Sequence, residues 1–187
     1  LFRSDLTGKL LPGRDNVLEV IAHNADQPNS RWYSGAGIYR PVTLWTAPAR
    51  HILPDGVQVR TLSIDPAEVE VTVQTTASGA VAVAILDDEQ TVATAQAESN
   101  GKAVLRVQIP NAKLWSPDSP ALYRCRAMFG DDCAETTFGV RTLSWGDDGF
   151  LLNGKRVILL GACVHHDHGV LGACCYPEAE EIGRASC

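Results

Sequence analysis

The chain has 187 residues, a formal net charge of −6 at pH 7, 45% hydrophobic residues and 20% charged ones. That balance describes a globular chain able to bury a core, and no apolar run approaches the roughly 20 residues of a membrane span. The acidic charge, with Lys and Arg scattered, excludes a phosphate backbone as a natural partner, so neither nucleic acid nor a membrane is expected to be bound.

The length suits one large domain, or one complete domain flanked by pieces of two others. The first residues, Leu1-Phe2-Arg3-Ser4-Asp5, contain no initiator Met and no signal-peptide pattern, so the native start is expected upstream. A turn-rich segment, Leu11-Pro12-Gly13-Arg14-Asp15-Asn16, precedes an expected strand at 17–22. A weakly apolar loop then leads to the aromatic and glycine cluster RWYSGAGIYR at 31–40 and a second expected strand at 41–45. Two or three strands in 50 residues cannot bury both faces of a sandwich, so residues 1–50 read as the end of a β domain.

From Val57 the pattern becomes regular alternation. Strands are predicted at 57–64, 68–76, 80–86, 91–98, 102–109, 121–129 and 133–140. Turn signals separate them at Asp65-Pro66, Ser78-Gly79, Asp87-Asp88, Asn100-Gly101, Pro110-Asn111 and Gly130-Asp131. Val69, Val71 and Val73 share a face, as do Val81, Val83 and Ile85, and Ala103, Leu105, Val107 and Ile109. A period of two marks half-buried antiparallel strands, and about seven of them at this spacing predict an immunoglobulin-like sandwich over 51–141. The segment Leu114-Trp115-Ser116-Pro117-Asp118-Ser119-Pro120 carries two prolines and must be a crossing loop, with Trp115 capping the core by packing.

After Arg141 comes GFLLNGKRVILLGACVHHDHG, residues 149–169. Asn153-Gly154 supplies the positive φ angles of a tight hairpin. An apolar strand at 157–160 then delivers His165, His166, Asp167 and His168 to its C-terminal side, the arrangement of a first barrel strand opening onto a site. Cys163 with the three histidines has the chemistry of a zinc site. However, neighbours on an extended segment alternate in direction and cannot converge on one ion, so no metal site is expected. Glu178, Glu180 and Glu181 read as the solvated surface of a first barrel helix.

The six cysteines are Cys125, Cys133, Cys163, Cys174, Cys175 and Cys187. If Gly130-Asp131 turns a hairpin, position 125 faces 136 and position 133 faces 128, which leaves those two sulfurs out of register for a bond. All six read as free thiols, in keeping with a reducing, cytoplasmic compartment. The final residues EIGRASC, 181–187, continue no pattern. The codons GAG-ATC-GGA-AGA-GCG-TCG-TGT would encode them and match a common sequencing adapter, so a non-native tail is expected.

Three segments together, RWYSGAGIYRPVTLW, LWSPDSPALY and FGVRTLSWGDDGFLLNGKRVILLGACVHHDHGVLGA, resemble consecutive landmarks of glycoside hydrolase family 2, the β-galactosidase, β-glucuronidase and β-mannosidase group. The resemblance implies a mainly β fragment. Residues 1–50 would be the C-terminal part of a jelly-roll sugar-binding domain, 51–141 a complete immunoglobulin-like sandwich, and 142–180 the start of a (β/α)8 barrel. It also implies a retaining β-glycosidase in which one glutamate protonates the leaving oxygen and another, about 5 Å away, attacks the anomeric carbon. Both glutamates belong to later barrel strands, and the residues after Arg141 fall far short of the roughly 250 of such a barrel. The fragment itself is therefore expected to be inactive.

The same resemblance assigns His165 and Asp167 to sugar binding. It places Arg31 in a loop reaching toward the barrel mouth, where a sugar contact and an interdomain salt bridge both remain open. Trp32, Tyr33, Ile38 and Tyr39 are expected to pack an interface, Gly35 and Gly37 to serve backbone conformation, and Arg40 to donate a hydrogen bond between domains. No cofactor is implied within these residues, although the full-length parent could carry a divalent cation farther downstream. The parent's partner would be a β-galactoside-like carbohydrate, and the resemblance leaves an oligomer open. The rival reading is a non-catalytic β-sandwich module binding carbohydrate or protein, which residues 1–141 alone permit. A barrel strand ending in HHDHG separates the two.

Overall fold

A computed structural model describes residues 3–23, 37–38, 40–161 and 176 of the chain. Among them the regular structure is entirely β. Two units are distinguished, one of residues 1–43 with 162–187 and one spanning Leu44–Gly161.

The second unit is built on five strands: β1 (Ile52–Ile64), β2 (Ala67–Asp87), β3 (Gln90–Gln108), β4 (Tyr123–Phe129) and β5 (Asp132–Phe138). All neighbours pair antiparallel, in the order β1-β2-β4-β5 with β3 also on β2. Strand β2 organises the sheet because it changes partners along its length. Its first half, from Ala67 to Thr75, lies against β1 and the end of β3. Its second half, from Ser78 to Asp87, lies against the start of β3, and Val81–Leu86 of that half pair with β4. The sheet curls at the change-over, and the two halves enclose one core.

The alternation predicted from sequence is what fills that core. Val69, Val71, Val73, Val81, Val83 and Ile85 from β2 are buried with Ala103, Leu105 and Val107 from β3 and Tyr123, Cys125, Ala127 and Phe129 from β4. Each fully buried aliphatic or aromatic side chain of this kind contributes about 1.5–3 kcal/mol of transfer free energy. The opposite faces carry the polar partners, among them Arg60 and Glu70, paired at 3.0 Å.

Five strands stand where seven were expected. Ser78-Gly79 and Asn100-Gly101 do not reverse the chain. They face each other across the β2–β3 ladder, Ser78 against Asn100 and Gly79 against Ser99, within a register shift that begins after Gln74. The positive φ of Gly79, 154°, and of Gly101, 88°, bends both strands together instead of turning either. A Cβ at Gly79 would meet Arg50 Nη2 at 2.6 Å and the Phe129 ring at 3.2 Å, so the glycine also admits Phe129 to the crease. Buried Thr75 and Ser99 share a hydrogen bond of 2.7 Å there, and Thr75 Oγ1 donates to Ala77 O. Inside the bend these two hydroxyls satisfy polar groups that the interrupted ladder leaves over.

The other turns form as predicted. Asp65-Pro66, whose peptide is cis, joins β1 to β2, and Gly130 at φ 60° opens the β4–β5 turn. Cys125 lies opposite Thr136 and Cys133 opposite Met128, so the two sulfurs are out of register and both thiols are free, Cys125 buried and Cys133 exposed.

A second, three-stranded sheet follows: β6 (Leu143–Gly146), β7 (Gly149–Leu152) and β8 (Lys155–Arg156). Its β7–β8 hairpin turns on Asn153 at φ 50° and Gly154 at φ 75°, as the Asn-Gly pair predicts. The strand expected at 157–160 forms no ladder among the described residues. The Val157 amide donates to Phe150 O at 2.9 Å, and Ile158, Leu159 and Leu160 are exposed. A barrel strand is held by neighbours on both sides, and among the described residues none lies beside this one.

In the other unit the predicted turn is present. Asn16 Oδ1 accepts from Leu11 N at 2.8 Å, Nδ2 donates to Leu11 O and Arg14 O, and Gly13 has φ 72°. Residues 17–22, expected as a strand, form no ladder among the described residues, and neither do 41–45, which run from this unit into the one that begins at Leu44. Their apolar side chains, Val17, Leu18, Val20 and Ile21, then Val42, Leu44 and Trp45, are exposed.

Candidate functional site

Arg31, His165 and Asp167, the residues assigned to sugar by the resemblance, lie outside the described residues. So do Trp32, Tyr33, Gly35, Tyr39, Cys163, His166, His168 and the three glutamates of 178–181. Among the described residues no group of three or more His, Cys, Asp or Glu is placed to hold a metal ion. What the structure does position is the ground on which residues 149–161 stand, and three features define it.

The first is the loop after β3. Asn111 at φ 51° ends the strand, and Lys113 N donates to the Tyr123 hydroxyl at 2.8 Å. Leu114 forms a parallel bridge with Val140, and Trp115 N donates to Val140 O at 2.9 Å. Ser116 and Ser119 exchange backbone hydrogen bonds, which holds the two-proline segment closed. The half-buried Trp115 ring lies against Gly139, where an added Cβ would come within 2.6 Å of Trp115 Cβ. The Arg141 guanidinium covers the ring at 4.5 Å from its centre. Trp115 thus caps the end of the curled sheet by packing, and the cation on it was not foreseen.

The second feature is Asn153, whose side chain does more than permit a turn. Its backbone N–H donates to Thr142 O at 2.9 Å and its Oδ1 accepts from Thr142 N at 2.9 Å. Its Nδ2 donates to Trp115 O, 38 residues away in sequence, at 3.0 Å. One amide therefore joins the hairpin, the chain leaving the five-stranded sheet, and the capping loop. Nothing in an Asn-Gly dipeptide announces this, because the turn alone accounts for the residue.

The third feature is the seam where the curled sheet brings its edges β1 and β5 together. Asp132 Oδ2 accepts from Ile52 N at 2.7 Å across it. Two open grooves lie along the seam. One, of about 470 Å³, is lined by residues including Trp45, Asp55, Gln58, Asp132 and Glu135. The other, of about 400 Å³, is lined by residues including Arg60, Thr61, Phe138 and Arg141. In the first, Asp132 is committed to the Ile52 amide. Glu135 accepts from Arg126 Nε with Arg124 at 3.5 Å, and the Arg126 hydrogen bond holds its carboxyl below the usual range. A carboxylate kept ionised by two cations anchors structure and has no proton to give at neutral pH.

A curled antiparallel β sheet, capped by a tryptophan loop and followed by an Asn-Gly hairpin, defines the class as a mainly β module. Residues 53–141 match the family described as "Glycosyl hydrolases family 2", and this chain belongs to that family. A β-galactosidase of Bacteroides ovatus is 35% identical, over 92% of this chain and 23% of its own length. A putative β-glucuronidase of Formosa agariphila is 33% identical, over 91% of this chain and 18% of its own. Among solved structures, a family 2 member from Bacteroides cellulosilyticus superposes with a TM-score of 0.68 at 31% identity, over 84% of this chain and 24% of that one. The chain thus spans about a fifth to a quarter of the length of these relatives.

Proposed function

We propose that this chain is a portion of a retaining β-glycosidase acting on terminal β-glycosides, β-galactosides by preference. The observation that carries it is the identity to the Bacteroides ovatus β-galactosidase over nearly the whole chain. It is supported by an immunoglobulin-like reading of the five-stranded unit, in which long strands trade partners between two halves around one core. In this reading residues 1–50 close a jelly-roll domain, 51–141 form the sandwich, 142–180 open a (β/α)8 barrel, and 181–187 are a non-native tail. Arg31, His165 and Asp167 are the sugar-contacting candidates, and the two catalytic carboxylates belong to later barrel strands, so the 187 residues alone are inert. A divalent cation in the full-length parent would rest on residues beyond these.

The test has two arms. The purified chain is assayed with aryl β-galactoside and aryl β-glucuronide, and no turnover above buffer is expected with either. Turnover abolished by unfolding the chain would overturn the inert reading. The parent reading frame, expressed whole, should cleave the β-galactoside with retention of anomeric configuration; preference for the glucuronide would replace the substrate and keep the family chemistry.

A further inference from the structure

The three-stranded sheet β6–β8 shares no ladder with the five-stranded sheet, and the two are joined in sequence through Gly139–Thr142. A linker of four residues with a glycine among them is long enough to hinge unless it is held. Val140 is buried in the core and bridged to Leu114, and the Arg141 N–H donates to Thr61 Oγ1, so the freedom left in the linker is at Thr142, and there the Asn153 side chain spans it. Through Oδ1 and its own N–H it pairs both ways with Thr142, and through Nδ2 it reaches Trp115 O in a loop pinned to Val140. The loop is braced in turn by Arg141 over the indole and by the fit of Trp115 on Gly139. All three partners are backbone atoms, so the bonds themselves do not involve the side chains at 115 and 142, although the seating of the indole helps to hold Trp115 O in place.

We propose that Asn153 is a positioning residue. It is a latch that makes the β6–β8 sheet an extension of the sandwich and so fixes the direction in which the chain departs after β8. The inference rests on this geometry and not on the glycosidase reading. It separates two duties that one residue performs. The turn needs only a residue that accepts positive φ, which Gly supplies equally well. The latch needs one acceptor and one donor on a short planar amide, which only Asn supplies at this place.

Two substitutions in the 187-residue chain divide the duties. Asn153→Gly keeps the turn and removes both side-chain bonds. Asn153→Asp keeps an acceptor for Thr142 N and loses the donor to Trp115 O. Residual dipolar couplings of backbone amides report whether β6–β8 and β1–β5 share one alignment tensor, and hydrogen exchange reports the Thr142 amide. For Asn153→Gly the expected result is roughly tenfold faster exchange at Thr142 and separate tensors for the two sheets. The exchange of β2 amides and the Leu151–Arg156 pairing should stay unchanged. For Asn153→Asp, Thr142 protection should persist while the shared tensor is lost. A shared tensor in Asn153→Gly overturns the latch. So does collapse of the β2 protection in that variant, which would make Asn153 a requirement of the fold instead.

Discussion

The Arg141 guanidinium lies over the Trp115 ring, 4.5 Å from its centre, while the Arg141 backbone N–H donates to Thr61 Oγ1 at 3.3 Å. The side chain thus covers the capping indole and the main chain is tied to β1, so the two roles can be separated by substitution. A cation on a half-buried indole contributes about 0.5–2 kcal/mol. Arg141→Ala should lower the urea midpoint by the equivalent of about 1 kcal/mol with an unchanged m-value. Arg141→Lys should recover part of it, since an ammonium keeps the charge and loses the planar stack. Equal loss in both would show that the planar stack, not the charge, carries the effect.

Thr75 and Ser99 are both buried and hydrogen-bonded to each other at 2.7 Å. Thr75→Val removes one hydroxyl and leaves Ser99 unpartnered inside the bend, with a cost of about 1–3 kcal/mol. Thr75→Val with Ser99→Ala removes both and should be less destabilised than the sum of the single variants. A double-mutant cycle by chemical denaturation measures the coupling, and strict additivity would show that the pair does not act as a unit.

The sequence was legible where side chains alternate and opaque where backbone geometry decides. Val69, Val71 and Val73, then Val81, Val83 and Ile85, fall on the buried face as their spacing requires, and the register of Cys125 and Cys133 follows from counting back from Gly130. Ser78-Gly79 and Asn100-Gly101 misled because a positive φ is common to turns and bulges, and only the pairing of the two sites with each other reveals a crease. The apolar runs at 17–22, 41–45 and 157–160 have the composition of strands, but a strand exists only by virtue of a partner, which composition does not contain. Asn153 hid its longest contact behind a sufficient local explanation. Of the site, Arg31, His165 and Asp167 rest on the family resemblance alone.

Cys125 and Cys133 lie on adjacent strands with opposite fates. Burial pushes the Cys125 thiol up to about 12, whereas Cys133 is exposed on the outer face. At pH 8 the Cys125 thiolate is on the order of one part in ten thousand, and alkylation requires both thiolate and access. Iodoacetamide at that pH should modify Cys133 in the native chain and reach Cys125 only above the unfolding transition, as peptide mass mapping would show. Early labelling at Cys125 would mean that β4 opens locally.

Glu135 sits between Arg126 and Arg124 on the outer face of β4 and β5, and the Arg126 hydrogen bond is the main reason its carboxyl titrates below the ordinary range. A carboxylate whose folded pKa is depressed binds its proton less tightly in the folded state than in the unfolded one. Its contribution is therefore fully present above the unfolded value of about 4.3 and is lost as pH falls through the lower folded value. Glu135→Gln should flatten the decline in stability as pH falls from the unfolded value of about 4.3 through the lower folded one, and leave the profile between pH 6 and 8 parallel to that of the parent chain. The group is exposed, so the difference should be small and should shrink further in high salt. Thermal unfolding followed from pH 2 to 8 at low and high ionic strength measures it, and an acid limb unchanged by the substitution would mean that the arginines hold Glu135 no differently in the folded and unfolded chains.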